Sequence, residues 1–134
     1  MDILGPFTLG KGQVKFLIVA IDYFTKWIEA KPLATITAQQ VQQFVWKDII
    51  CRYGMSHTII TNNGRQFIDK VLAKFYTDLD IKHITSSVEH PQANGQAEAA
   101  NKVILVELRK RLDGAKGRWS KDLLEALWAY RCTL

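Results

Sequence analysis

Apolar positions along this chain recur first with a period of two, then with helical spacing, and the changes of period mark out its elements. Phe16 to Ile21 is an unbroken apolar run inside the β-rich stretch from Val14 to Asp22, the pattern of a buried central strand. Asp2 to Leu9 reads as a short strand ahead of it, and Gly10-Lys11-Gly12 supplies the turn that closes the pair into a hairpin. After a turn from Asp22 to Thr25, Lys26-Trp27-Ile28-Glu29-Ala30 interleaves polar and apolar residues, which predicts a third strand with one covered face, ended by Pro32.

Helical spacing then takes over. Thr37, with Gln40 three residues on, reads as an N-cap resembling a capping box, and Val41, Phe44, Val45 and Ile49 share one face until Gly54 closes the segment. His57 to Thr61 is a compact β-branched strand. Asn62-Asn63-Gly64 is turn chemistry leading into a second helical pattern at Phe67, Val71, Leu72, Phe75 and Leu79. Lys82 to Thr85 predicts a brief fifth strand, and Ser86 to Gly95, polar with Pro and Gly, predicts an exposed mobile loop. From Gln96, the stripe Ala97, Ala100, Ile104, Leu108 and Leu112 predicts a helix running to Gly114, with Glu98 off the stripe. A last helix, with Ser120 as its cap, carries Leu123, Leu124, Leu127, Trp128 and Arg131. The order β-β-β-α-β-α-β-α-α predicts an α/β layer structure in which helices cover a mixed sheet opened by a three-strand meander.

The 134 residues, 48% apolar and 23% charged, make one ordinary domain, large enough to bury a core without disulfide or metal staples. The longest apolar stretch is the six residues from Phe16 to Ile21, far short of a membrane span, and Asp2, Gly5 and Pro6 do not suit a secretory signal. Cys51 and Cys132 stand 81 positions apart with no CxxC pair, so both read as reduced, small hydrophobes on helix faces of an intracellular chain, and zinc is not indicated. A net charge of +5 suits a polyanionic partner without requiring one. Lys102, Arg109, Lys110, Arg111, Lys116, Arg118 and Lys121 crowd twenty residues whose only acids are Glu107 and Asp113. That run reads equally as a solvated helix face or as a surface for such a partner.

Three positions bring a carboxylate, or its amide counterpart, to the edge of the expected sheet: Asp2, Asn62 and Glu98, with 35 residues between the last two. Around them stand Asp2-Ile3-Leu4-Gly5-Pro6-Phe7, Asp22-Tyr23-Phe24-Thr25-Lys26-Trp27, Thr61-Asn62-Asn63-Gly64-Arg65-Gln66-Phe67, His90-Pro91-Gln92-Ala93-Asn94-Gly95-Gln96-Ala97-Glu98 and Trp128-Ala129-Tyr130-Arg131. Together these segments resemble, over essentially the whole chain, the integrase catalytic core of gypsy-class long-terminal-repeat retrotransposons, within the ribonuclease H-like polynucleotidyl transferases. The resemblance implies a three-layer fold with a five-stranded mixed sheet flanked by helices. It also implies catalytic and metal-binding roles for Asp2, Asn62 and Glu98 around two Mg²⁺ (or Mn²⁺) ions. In that family the three positions are Asp, Asp and Glu, so Asn62 departs from the pattern at the ligand that the ions share.

The chemistry explains why the departure matters. Two metals about 4 Å apart activate a water or a 3′-hydroxyl and stabilise the leaving oxygen of a phosphodiester. Hard Mg²⁺ seeks anionic oxygens in octahedral array, whereas Asn offers one neutral oxygen and a donor nitrogen. Severely impaired catalysis is therefore expected, with weak or absent metal binding; a barrier higher by ~4 kcal/mol slows a reaction about a thousandfold.

By resemblance, Lys102 and Asn101 face DNA from the helix that carries Glu98, and Gln92, Asn94, Gly95 and Gln96 lie in a loop that touches the DNA end. Lys102 reads as a phosphate contact or as an i,i+4 partner of Glu98. Asp22 reads as a turn residue rather than a ligand, and His90 is given no metal role. Trp46, Trp119 and Trp128 read as core or subunit-interface aromatics, with Trp27 open either way.

The chain is thus expected to be one catalytic core domain over residues 1–134, truncated at its N-terminus and lacking the family's zinc-binding and C-terminal DNA-binding domains. Expected partners are element and target DNA and further copies of the chain in a homodimer or higher oligomer, with no membrane and with the nucleus as the place of action. Two other functions compete: a catalytically dead nucleic-acid-binding or dimerising remnant, and a nuclease acting on RNA in hybrids. The 35-residue spacing and the loop before Glu98 favour integrase over the latter.

Overall fold

A computed structural model describes residues 1–7, 13–22, 25–55, 58–61, 64, 66–85 and 91–132, with the side chains of 91–101 and 115 outside the description. Its centre is strand β2 (Phe16–Ile21), which pairs antiparallel with β1 (Asp2–Leu4) on one side and β3 (Ile28–Leu33) on the other. Because successive strand residues point to opposite faces, β2 feeds two cores. Leu17 and Val19 pack with Phe7, Ile28, Leu108, Leu112, Trp119 and Leu123. Ile18 packs with Leu33, Val41, Phe44, Leu72 and Tyr76. Helices α1 (Ala38–Phe44) and α3 (Lys70–Asp78) cover the second face, and α4 (Pro91–Ala115) and α5 (Trp119–Cys132) cover the first. This is the expected three-layer arrangement.

The five expected strands are present, but their ladders divide. β4 (Thr58–Thr61) and β5 (Lys82–Thr85) form a separate parallel pair, in register from Thr58 opposite Lys82 to Thr61 opposite Thr85. A hydrogen bond from the Met1 nitrogen to the Ile60 carbonyl, at 2.6 Å, links the start of β1 to β4. β1 is three residues long, too short to hold a full ladder on both edges.

Several boundaries shift for local reasons. β1 stops at Leu4 rather than Leu9, where Gly5 takes φ +125° and a Cβ would stand 2.7 Å from the Lys15 carbonyl oxygen, so only glycine fits. β3 starts at Ile28 and continues through Pro32 to Leu33 instead of ending at the proline; among the described residues it is the outer strand of its ladder, where a missing N–H is tolerated. The first helix starts as expected, with the Thr37 hydroxyl accepting from the Gln40 N–H at 3.2 Å, and closes at Gly54, with φ +90°. Between these ends it changes to a π-helical segment, Val45–Ile50, before α2 (Cys51–Tyr53), a widening that i,i+3 and i,i+4 spacing does not report.

The expected loop up to Gly95 is already helical from Pro91. Proline suits a first helical turn, whose N–H groups have no intrahelical partner. That helix passes Gly114 to Ala115, and the left-handed residue at its end is Lys116, with φ +52°. A 3₁₀ turn, Lys116–Arg118, leads directly into α5, so Ser120 lies inside that helix and does not cap it. The Gly10–Gly12 turn and the segment 86–90 lie outside the described residues. Both cysteines sit on helices but are exposed, contrary to the buried role expected of them. Trp119 is buried, whereas Trp46 and Trp128 are exposed, which excludes a core role for those two. Among the described residues no helix is long and apolar enough to cross a membrane.

At the outer edge, β3 carries a buried carboxylate that alternation alone does not disclose. Glu29, 7% exposed, accepts from Arg131 Nη2 at 2.8 Å, Arg52 Nη1 at 3.2 Å and Trp27 Nε1 at 3.2 Å, and from the Tyr53 hydroxyl. Arg131 also donates Nε to the Ile28 carbonyl at 3.1 Å and lies 4.5 Å from the centre of the Trp27 ring, while the Tyr130 hydroxyl donates to the Lys26 carbonyl at 2.9 Å. This carboxylate therefore ties α2 and α5, from opposite layers, around the sheet edge. Glu29→Gln is expected to destabilise the fold by about 3 kcal/mol, because it strands a partly buried guanidinium. Arg52→Ala, at an exposed partner, should cost under about 1 kcal/mol. Urea unfolding of the two variants checks the ordering.

Candidate active site

The candidate ligands depend on where β1 and β4 end. Asp2 opens β1 opposite Val19, half-buried, with Oδ1 accepting from the Ile3 N–H at 2.9 Å. The Met1–Ile60 hydrogen bond sets this end of β1 against the end of β4. Its donor is one residue before Asp2, and its acceptor is two residues before position 62. The first and fourth strands are thus in contact at Met1 and Ile60.

Asn62 itself lies outside the described residues. Glu98 is the eighth residue of α4, about 10 Å along it at 1.5 Å per residue. Gln92, Asn94, Gln96 and Asn101 share that helix rather than a loop, and the side chains of all five lie outside the description. Lys102, one turn beyond Glu98, is exposed. Among the described residues no three His, Cys, Asp or Glu side chains converge on a metal position. Asp22 is exposed and serves its loop: its N–H donates to the Trp27 carbonyl at 2.9 Å, and its carbonyl accepts from the Lys26 N–H at 2.7 Å. The basic residues Lys102, Arg109, Lys110, Arg111, Lys116, Arg118 and Lys121 are all exposed, and Arg109 is paired with Asp113 at 3.7 Å.

Behind the end of β4 lies a group that sequence reading missed. Thr61 is buried, 2% exposed, and its Oγ1 is 2.7 Å from Nε2 of His83 on β5. The imidazole packs against the Tyr76 ring, with centroids 5.1 Å apart. Burial holds His83 below the ordinary imidazole pKa, and the Met1 ammonium pushes it the same way, so the ring is neutral near pH 7. The buried Tyr76 hydroxyl has no hydrogen-bond partner among the described residues, and desolvation raises its pKa. The available signal was polar residues, Thr61 and His83, within two short strands of a parallel pair; their contact needed the register.

Comparisons with known proteins identify the family and the fold. The family model described as Integrase core domain matches residues 1–91. The Gag-Pol polyprotein of avian reticuloendotheliosis virus is 33% identical over 92% of this chain and 11% of its own length. The retrovirus-related Pol polyprotein from transposon 412 of Drosophila melanogaster is 25% identical over 99% of this chain and 11% of its own length. The chain thus spans about a tenth of these curated relatives, which include viral and transposon polyproteins alike and do not single out a gypsy-class element. Among solved structures, the catalytic core domain of BIV integrase superposes with a TM-score of 0.67 at 22% identity, covering 94% of this chain and 78% of that one. A simian T-cell lymphotropic virus intasome, in complex with PP2A regulatory subunit B56 gamma, gives 0.67 at 23% identity, over 95% of this chain and 46% of that one. These two likenesses establish the fold, which is ribonuclease H-like.

A neutral buried imidazole makes stability depend on pH. Since the folded-state pKa of His83 lies below the unfolded value of 6.5, its contribution is complete above pH 6.5 and is lost as pH falls from there through the folded value. Between pH 7.5 and 5.5 the unmodified chain should lose more unfolding free energy than His83→Gln does; equal losses in urea titrations would assign the dependence elsewhere.

Proposed function

Because this chain belongs to the integrase core domain family, we propose that it is the catalytic core of an element integrase, a polynucleotidyl transferase that trims 3′ ends of element DNA and joins them to target DNA in the nucleus, and that Asn62 severely impairs it. The observation that carries the reading is the setting of Asp2 beside the strand that leads into residue 62, on a chain whose first 91 residues match the family.

Asp2, Asn62 and Glu98 are the donors that would hold Mg²⁺ or Mn²⁺. When bound, the ions would activate a water or a 3′-hydroxyl and stabilise the departing oxygen. Two carboxylates and an amide fit one hard cation better than two, since a neutral oxygen replaces the anionic donor at the shared position. Asp2 contributes from a paired strand and Glu98 from a long helix, so both donors stand on regular elements. Lys102, exposed one turn past Glu98, would meet a DNA phosphate, and Asn101, Gln92, Asn94 and Gln96 on the same helix would hydrogen-bond the DNA end. Leu124 and Trp128, one turn apart on α5 and 77% and 71% exposed, support pairing of two copies through that helix. A second reading, a catalytically silent DNA-binding or dimerising remnant, is favoured by Asn62 itself.

Asn62→Asp, within a full-length integrase carrying this core, is expected to raise Mg²⁺-dependent strand transfer on a labelled element-end duplex by about a thousandfold, equivalent to ~4 kcal/mol of barrier. Glu98→Gln should abolish the gain, and equal activity with and without the Asn62→Asp change would remove the impairment claim. Lys102→Ala should lower the slope of log affinity against log salt for duplex DNA by about one. Trp128→Lys should shift the chain toward monomer in sedimentation equilibrium, with its thermal unfolding unchanged.

A further inference from the structure

The net charge of this chain is concentrated in one place. Of its eighteen Lys and Arg, six lie within residues 109–121, and of its thirteen Asp and Glu only Asp113 does, which leaves twelve of each sign elsewhere. Residues 109–121 therefore carry the whole net charge of +5. They form the elbow where α4 passes through the 3₁₀ turn, Lys116–Arg118, into α5. Leu108 and Leu112 on α4, with Trp119 and Leu123 on α5, anchor the elbow in the core beside β2, and all six basic residues are exposed. Two of the six are engaged locally. Arg109 pairs with Asp113 at 3.7 Å, its guanidinium 6.0 Å from the centre of the Phe7 ring, and Arg111 lines a groove between the helices with Asp122 and Glu125. Lys110, Lys116, Arg118 and Lys121 have no acidic partner among the described residues. Like charges gathered on one short stretch repel one another, and a polyanion relieves that repulsion.

The kind of polyanion follows from what the elbow lacks. Protein partners are anchored by exposed aromatic and aliphatic side chains, and among the described residues no large exposed one falls between Val106 and Leu124. A DNA backbone needs charge instead: its phosphates recur about every 3.4 Å per strand, and Lys and Arg bind them without regard to sequence. We infer that the α4–α5 elbow is a second phosphate-binding surface, which holds duplex DNA about 25 Å along α4 from residue 98 and apart from Lys102. The inference shares with the proposed function the reading of DNA as partner. It requires no metal site, so it holds for an active core and for a silent remnant alike.

The test is fluorescence anisotropy of a labelled duplex of arbitrary sequence, titrated with the full chain at a series of salt concentrations, with thermal unfolding in parallel. Lys110→Gln, Arg118→Gln and Lys121→Gln together should lower the slope of log affinity against log salt by about 2.7, at about 0.9 per phosphate contact, and weaken binding at about 0.1 M salt more than tenfold. Lys116 is kept because its backbone is left-handed, with φ +52°. Lys47→Gln, Lys70→Gln and Lys74→Gln remove the same charge from exposed positions on the other helical layer and should leave the slope unchanged. If the triple elbow variant does not fold, Lys110→Gln with Lys121→Gln should lower the slope by about 1.8. Equal slopes for the elbow and control variants would overturn the inference and assign the dependence to net charge alone. Polyglutamate should compete weakly; displacement of the duplex at an equal concentration of charges would overturn the inference in favour of an acidic protein partner. An unmodified chain that binds no duplex even at low salt defeats the DNA reading itself, before any change at the elbow, and takes this inference with it.

Discussion

Strand β2 is the constraint on which the rest of the molecule depends. Its six residues must place Leu17 and Val19 in one core and Ile18 in the other, and both neighbours in the antiparallel sheet take their register from it. A slip of one residue would exchange the two cores at every position at once. Asp2 inherits its place from this arrangement, because it is set opposite Val19, and through β1 the same register reaches the end of β4. The placement of Asp2 is thus an extension of the core's geometry.

What was legible in the sequence followed from burial and from local chemistry. The apolar run of β2, the hydroxyl cap at Thr37, the closing glycine at 54 and the extent of β5 could all be read because each is decided within a few residues. Pro32 misled because the rule that a proline ends a strand holds only where both edges are paired. The π-helical turn could not be read, since the same apolar face serves either winding. The cysteines and two of the tryptophans were assigned by what such side chains prefer on average, and in this chain the helix faces that carry them are turned to solvent.

The site was legible as a spacing and not as a surrounding. Asp2, Asn62 and Glu98 were singled out by type, interval and family resemblance. The contact of Thr61 with His83 depends on a register between strands about twenty residues apart in the chain, which no local pattern encodes. Glu29 is the same lesson at the other edge. It occupied a polar position in a segment of mixed polar and apolar residues, and its partners Arg52, Tyr53 and Arg131 become visible only once two helical layers meet around β3.

That meeting also bears on how the chain reaches its folded form. Tyr130 and Arg131 bond to Lys26, Ile28 and Glu29 across 104, 103 and 102 positions of sequence. Contacts of such separation are paid for in loop-closure entropy before they return anything, and they place a chain among the slower folders of its size. During synthesis the partners of Glu29 are completed only when residue 131 has emerged. Until then the edge of β3 is a nascent, open template for other strands, at the stage of the chain's life when chaperones are most needed.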